Sequence, residues 1–196
     1  DEGHFACVSG TEGFFIGDFY GNIVARDMVG HAQRVSIANY CPEREGREIV
    51  VTNFWGHQGV IFLYDCYGNQ IWEMENEMNG NILAPVNWDG DGTELILTNA
   101  DAKKGGLLNG IRAVEFPDDG HPVLCCESLD LTGDERDELV VWDYHSMYIY
   151  TQDDCPKEQT YHPVQFPIYN ASNYRGEYSY PDASYLDFHA DKEKMK

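Results

Sequence analysis

Apolar residues along this chain fall in short runs separated by polar loops, and three segments repeat one pattern: an apolar run, a polar loop, an acidic residue, then three aliphatic or β-branched residues. The first is Val35-Ser-Ile-Ala-Asn-Tyr-Cys41 followed by Glu48-Ile-Val-Val51. The second is Ile82-Leu-Ala-Pro-Val86, the loop from Asn87 to Thr93, and Glu94-Leu-Ile-Leu97. The third is Val123-Leu-Cys-Cys126, the loop from Asp130 to Arg136, and Glu138-Leu-Val-Val141. Glu48 and Glu94 lie 46 residues apart, Glu94 and Glu138 44. A second register agrees: Asp18-Phe-Tyr-Gly-Asn-Ile-Val24 matches Asp65-Cys-Tyr-Gly-Asn-Gln-Ile71 at a spacing of 47. Each reads as two strands joined by a Gly-Asn hairpin, where glycine supplies a positive φ. Residues 59–65 and 146–151 are further aromatic, β-branched strands. No long stretch shows the 3.6-residue period of a helix. A repeat of this length holding several short strands predicts an all-β chain of β-propeller blades, each an antiparallel four-stranded sheet. About three to four blades are expected, as part of a seven- or eight-bladed ring.

Residues 5–28 hold only the latter half of a repeat, which predicts an incomplete first blade with an open edge. Further blades, from additional sequence or from a second chain, are therefore an expected partner. The blades are assigned to 1–155. Residues 156–185, rich in Tyr and Pro, read as an extended strap across the surface, and 186–196 as a polar tail. Asn170-Ala-Ser172 fits the glycosylation tripeptide, a common pattern.

Charge narrows the partners. Asp and Glu number 34 against 13 Lys and Arg, a net charge of −21. That field repels phosphate backbones and argues against nucleic acid. It also suits a chain whose carboxylates hold divalent cations, although solubility alone explains acidity equally well. No run approaches the length of a membrane span, and residues 1–20 lack a signal-peptide pattern. An extracellular or periplasmic location is expected if a signal has been removed. The six cysteines have neither CxxC pairs nor zinc spacing, and adjacent Cys125 and Cys126 should point to opposite sides of a strand.

The two acidic loops carry the candidate chemistry. Asn87, Asp89 and Asp91 alternate oxygen side chains ahead of Gly92, with the Thr93 carbonyl and Glu94 completing a hard-cation shell. Asp130, Thr132, Asp134, the Arg136 carbonyl and Glu138 repeat the set, with Glu135 where glycine is usual. Six to eight oxygen ligands in flexible geometry point to Ca2+ rather than Mg2+. The competing reading is that Asp, Asn and Gly simply make turns. The matching positions of the first repeat, Asn39, Cys41 and Glu43, lack the alternation and are expected to bind nothing.

Taken with Gly30-His31-Ala-Gln-Arg34-Val-Ser, Thr52-Asn-Phe-Trp-Gly-His57-Gln-Gly, Asp118-Asp-Gly-His-Pro and Tyr169-Asn-Ala-Ser-Asn-Tyr174-Arg, these loops resemble the FG-GAP-like calcium propellers, and within them the rhamnogalacturonan lyases, over roughly residues 18–182. The resemblance implies β-elimination on an acidic, rhamnose-containing polysaccharide. That reaction needs a cation beside the uronate carboxylate, a base for the C5 proton and an acid for the departing oxygen. His31, Arg34 and His57 are the catalytic candidates. Trp55 is a candidate for stacking on a sugar ring, and Lys103 and Lys104 for binding its anionic groups. Each also has a structural reading as turn, core or solvated surface. A non-catalytic calcium-stabilised propeller that binds glycan or protein is the alternative function, and glycoside hydrolysis by paired carboxylates a further one.

Overall fold

The computed structural model describes residues 3–54, 59–75, 83–134 and 136–152. The strap and tail read from the sequence therefore lie outside the described residues, as do Trp55 and His57. The described chain is all-β and without a helix, built as four antiparallel meanders taken in sequence order. The first sheet holds β1 (His4–Ser9), β2 (Gly13–Asp18) and β3 (Ile23–Asp27). The second holds β4 (Ala32–Ala38), β5 (Glu48–Asn53), β6 (Val60–Tyr64) and β7 (Gln70–Glu75). The third holds β8 (Ala84–Val86), β9 (Leu95–Leu97), β10 (Leu107–Leu108) and β11 (Arg112–Val114). The fourth holds β12 (Cys125–Leu129), β13 (Glu138–Trp142) and β14 (Met147–Tyr150).

The expected hairpins form, and one aspartate organises each. In the first sheet the Asp18 carboxylate accepts hydrogen bonds from the backbone of Tyr20 (2.9 Å) and Asn22 (2.8 Å) and from the Asn22 amide (2.7 Å). In the second, Asp65 holds Tyr67 and Asn69 in the same way. Gly21 and Gly68 sit at φ 92° and 85°, the left-handed region that such a turn requires. The first sheet has three strands, because β1 pairs with β2 along its whole length beside the two strands expected there. It still lacks a counterpart of β4.

Successive side chains of a strand point to opposite faces, so an interior sheet can feed two cores. In β5, Ile49 and Val51 join the core shared with the first sheet, where they meet Phe14 and Ile16. Val50 faces the other way, into the core shared with the third sheet, with Ile61, Leu63, Ile96 and Leu108. Leu95 and Leu97 turn from the third sheet toward Leu139 and Val141 of the fourth. All six residues of β5 are buried, as expected of a strand covered on both sides. Cys126 is buried in the last of these cores and Cys125 is not, in agreement with their opposite faces. Each fully buried aliphatic contributes about 1.5–3 kcal/mol. Among the described residues no hydrophobic cluster joins the fourth sheet to the first, and no closed ring is seen.

Candidate functional site

A meander places its connections alternately at its two ends, and the loops that follow β4, β8 and β12 share one end. Two reciprocal latches tie them together. Glu94 N donates to Asn39 O (3.0 Å) while the Glu94 carboxylate accepts from Asn39 N (2.6 Å). Asp137 N donates to Asn87 O (3.0 Å) while its carboxylate accepts from Asn87 N (2.7 Å). Each acid therefore satisfies the first residue of the loop in the preceding sheet. Register explains the equivalence: Glu48 pairs with Ala38 and Glu138 with Leu129, but the residue pairing with Val86 is Leu95. Glu94 thus stands one position ahead of Glu48 and Glu138, in the place of Asp137. Glu48 and Glu138 fold back instead on their own loops, onto Cys41 N (2.8 Å) and Leu131 N (2.7 Å) respectively.

The cation question turns on the oxygens left by these bonds. In the 87–94 loop, Asn87 Oδ1 accepts from Gly92 N (3.3 Å) and Asp91 Oδ1 from Thr93 N (2.8 Å), with Asp89 between them and Glu94 committed to Asn39. The 130–138 loop keeps oxygen donors at its first, third, fifth and ninth positions: Asp130, Thr132, Asp134 and Glu138. There Asp130 Oδ1 accepts from Gly133 N (2.6 Å), and Thr132 donates its backbone N–H and hydroxyl to Glu138. The Arg136 guanidinium is closed on Asp134 Oδ2 at 2.5 Å, both side chains buried. Among the described residues no three His, Cys, Asp or Glu side chains form a set able to hold a metal ion. The donor chemistry of the 130–138 loop fits a hard cation, but such an ion competes with Arg136 for Asp134.

The described catalytic and substrate-binding candidates, His31, Arg34, Lys103 and Lys104, lie toward the opposite end. His31 Nε2 contacts the Gln33 side-chain oxygen at 3.1 Å, and its ring packs so close to Gly10 that a Cβ there would come within 2.6 Å. Arg34 is buried on β4, opposite Thr52. Lys103 and Lys104 extend into solvent from a turn whose amides are held by Asp101 Oδ1, at 2.9 and 2.8 Å. Arg112 supports that turn by donating to the carbonyls of Ala102 and Lys103. Phe54 N donates to His31 O (2.9 Å), and Trp55 and His57 lie outside the described residues.

A tightly organised ionisable cluster among the described residues centres on His121, to which sequence reasoning assigned no role. His121 is 8% exposed; its Nδ1 lies 2.7 Å from Asp119 Oδ1 and its Nε2 2.6 Å from Ala100 O. Carboxylate and carbonyl oxygens only accept, so the surroundings satisfy both ring nitrogens when each carries a proton and favour the imidazolium form. Burial disfavours that charge, but the Ala100 carbonyl and Asp119 outweigh it and raise the histidine above its ordinary value. The bond from His121 holds Asp119 below the usual carboxylate value. Tyr150 donates its hydroxyl to the same carboxylate (2.9 Å), and burial followed by that bond raises the phenol. Beside Tyr150, between the third and fourth sheets, lies a cavity of about 170 Å³ walled by Trp88, Leu107, Phe116, Pro117, Leu139 and Tyr150. The Asp-Gly-His turn was visible in the sequence; its partners Ala100 and Tyr150, from two other elements, were not.

No family model, no curated protein and no solved structure matches this chain.

Proposed function

We propose that the four sheets are consecutive β-propeller blades forming a carbohydrate-binding module. Sheets stacked in sequence order, with a core between each neighbouring pair and the strands β4, β8 and β12 running side by side, support the blade reading. The observation that carries the binding reading is the aromatic-walled cavity. Trp88, Phe116 and Tyr150 make the cavity wall aromatic, which suits the apolar face of a pyranose, with Glu115 and Thr151 as polar lining. At about 170 Å³ it suits one sugar unit. An acidic polysaccharide, met outside the cell or in the periplasm, is the proposed ligand. Ca2+ in the 130–138 loop, held by Asp130, Thr132, Asp134, the Arg136 carbonyl and Glu138, would supply local positive charge and brace the loop. Calorimetric titration with uronate-containing oligosaccharides tests the reading. Trp88→Ala should weaken binding roughly tenfold, the scale of one lost aromatic contact. Undiminished affinity in Trp88→Ala, or no heat from the unaltered protein, would sink it.

A lyase is the second reading, with His31, whose carbonyl accepts from Phe54 N, as a described member of its catalytic set. Its signature is absorbance from an unsaturated uronate product, abolished in His57→Ala with the fold intact. Binding without that product leaves the module alone standing.

A further inference from the structure

We propose that His121 is a positioning residue for the aromatic cavity, and that affinity for the cavity's ligand falls when the ring gives up a proton to solvent. The inference rests on the sugar-binding reading of that cavity and adds the group that holds its wall in place.

Three of the segments that wall the cavity meet at this ring. The chain from β9 into β10 carries Ala100 and then the wall residues Gly106 and Leu107. The connection after β11 carries the wall residues Phe116 and Pro117 and then Asp119 and His121. The end of β14 carries Tyr150. His121 Nε2, 2.6 Å from Ala100 O, ties the second segment to the first. Its Nδ1, 2.7 Å from Asp119 Oδ1, ties it to the third, because the same carboxylate accepts the Tyr150 hydroxyl at 2.9 Å. Asp119 also accepts from the backbone of His121 (3.1 Å), which closes the turn. The rings add packing: His121 lies 5.3 Å from Phe116 and 5.5 Å from Tyr150, and those two lie 5.4 Å from each other. The histidine therefore backs two of the three aromatic walls. Its side chain is 2% exposed and lines no part of the cavity, so it acts on a ligand through Asp119 and Tyr150.

Protonation decides how many of these ties hold. With a proton on each nitrogen, both face oxygens that only accept. Removing either proton sets a ring lone pair against Asp119 or against Ala100 O, and one tie is lost. Ala100 is fully buried, so water cannot take the place of the lost donor. The Pro117 carbonyl adds to the preference for the charged ring. The other charged or titratable groups on the packed segments are Asp101, Lys103 and Lys104 beyond Ala100, Glu115 and Asp118 on the ring's own connection, and Tyr148 on β14, 6.4 Å from the ring. Asp101 accepts from the Lys103 and Lys104 amides, and Glu115 lies 3.8 Å from Arg112. Asp119 is the carboxylate that bonds the ring.

Calorimetric titration of the full chain with trigalacturonate tests this, from below the ordinary histidine value of 6.5 up to about pH 9, a range in which the carboxylates of the probe stay ionised. Affinity of the unaltered chain should fall roughly tenfold over that range, the scale of one lost hydrogen bond. His121→Gln should bind at the weaker level without the slope. Tyr150→Phe keeps the ring, removes its bond to Asp119 and should lose most of the slope. A readout without ligand accompanies these: in nuclear magnetic resonance the His121 ring and the Trp88 indole N–H should titrate with one midpoint. Circular dichroism controls the fold; where His121→Gln loses its strand spectrum, Tyr150→Phe and the Trp88 midpoint decide. Affinity that is level with pH in the unaltered chain, or a slope that survives in either folded variant, overturns the proposal and leaves the sugar reading intact. No heat at any pH removes the sugar reading instead, and the positioning role then stands or falls on whether Trp88 follows the His121 midpoint.

Discussion

Two acceptors, Asp119 and Ala100, face the two nitrogens of the His121 ring and favour its charged form, which gives stability a pH dependence with a definite sign. The histidine is raised in the folded state above its ordinary 6.5. Its contribution is therefore complete below that ordinary value and disappears as pH rises through the higher folded value. Asp119 is lowered below 3.8, so its contribution is complete above that value and is lost as pH falls through the folded one. The pair is strongest between the two ordinary values. His121→Gln keeps polarity without charge and should flatten the loss of melting temperature as pH rises above the ordinary histidine value. Parallel melting curves for variant and parent would remove the imidazolium. Arg136 gives a second test of buried charge. Arg136→Ala leaves the Asp134 carboxylate, 2% exposed, without its guanidinium and should cost about 3–5 kcal/mol in urea unfolding with chelator present. Added Ca2+ should restore more stability to this variant than to the parent, because the competing cation has gone. Equal gains in both would show that Asp134 is not a ligand.

The two Asp-x-x-Gly-Asn hairpins differ in one respect that substitution can read. At Gly21 an added Cβ meets nothing within 4 Å, so Gly21→Ala should cost only the left-handed backbone penalty, about 1–2 kcal/mol. At Gly68 the same Cβ falls 2.4 Å from the Ala25 Cβ in the neighbouring sheet, so Gly68→Ala should cost clearly more. Equal losses in chemical unfolding would mean that the second-sheet turn does not press on the first. These hairpins were legible in the sequence because the side-chain hydrogen bonds of Asp18 and Asp65 that close the turns are made within four residues. The strands around the repeated acids were legible for the same local reason. The place of Glu94 was not: the acids align by sequence, but the partner that sets its role, Asn39, lies 55 residues away. The cavity walls were equally hidden, since Trp88, Phe116 and Tyr150 come from a loop, a connection and a strand end. His31 immediately precedes β4 and Arg34 lies within it, and only the fold separates a half-buried ring from a buried guanidinium.

At the scale of the molecule, a net charge of −21 on 196 residues works against compaction, and the latches and loop caps bring carboxylates close together at one end of the stack. Monovalent salt shortens the reach of that repulsion, from about 10 Å at 0.1 M to about 3 Å at 1 M. Melting temperature should therefore rise with NaCl, in contrast to a protein held by surface ion pairs. Ca2+ acts by the same screening and, if the 130–138 loop binds it, also by occupying that site, so CaCl2 should stabilise beyond NaCl at matched ionic strength. Asp130→Asn with Glu138→Gln separates the two effects. The variant should keep its response to NaCl, since removing two charges from an excess of 21 changes the field little, and should lose the additional response to Ca2+. Coincident NaCl and CaCl2 curves for the parent would leave screening alone and end the calcium reading. A flat NaCl curve would show that the acids already have compensating partners in the fold. In that case the latches, which spend carboxylate charge on backbone amides of the preceding sheet, would be sufficient to hold the acidic end together without a cation.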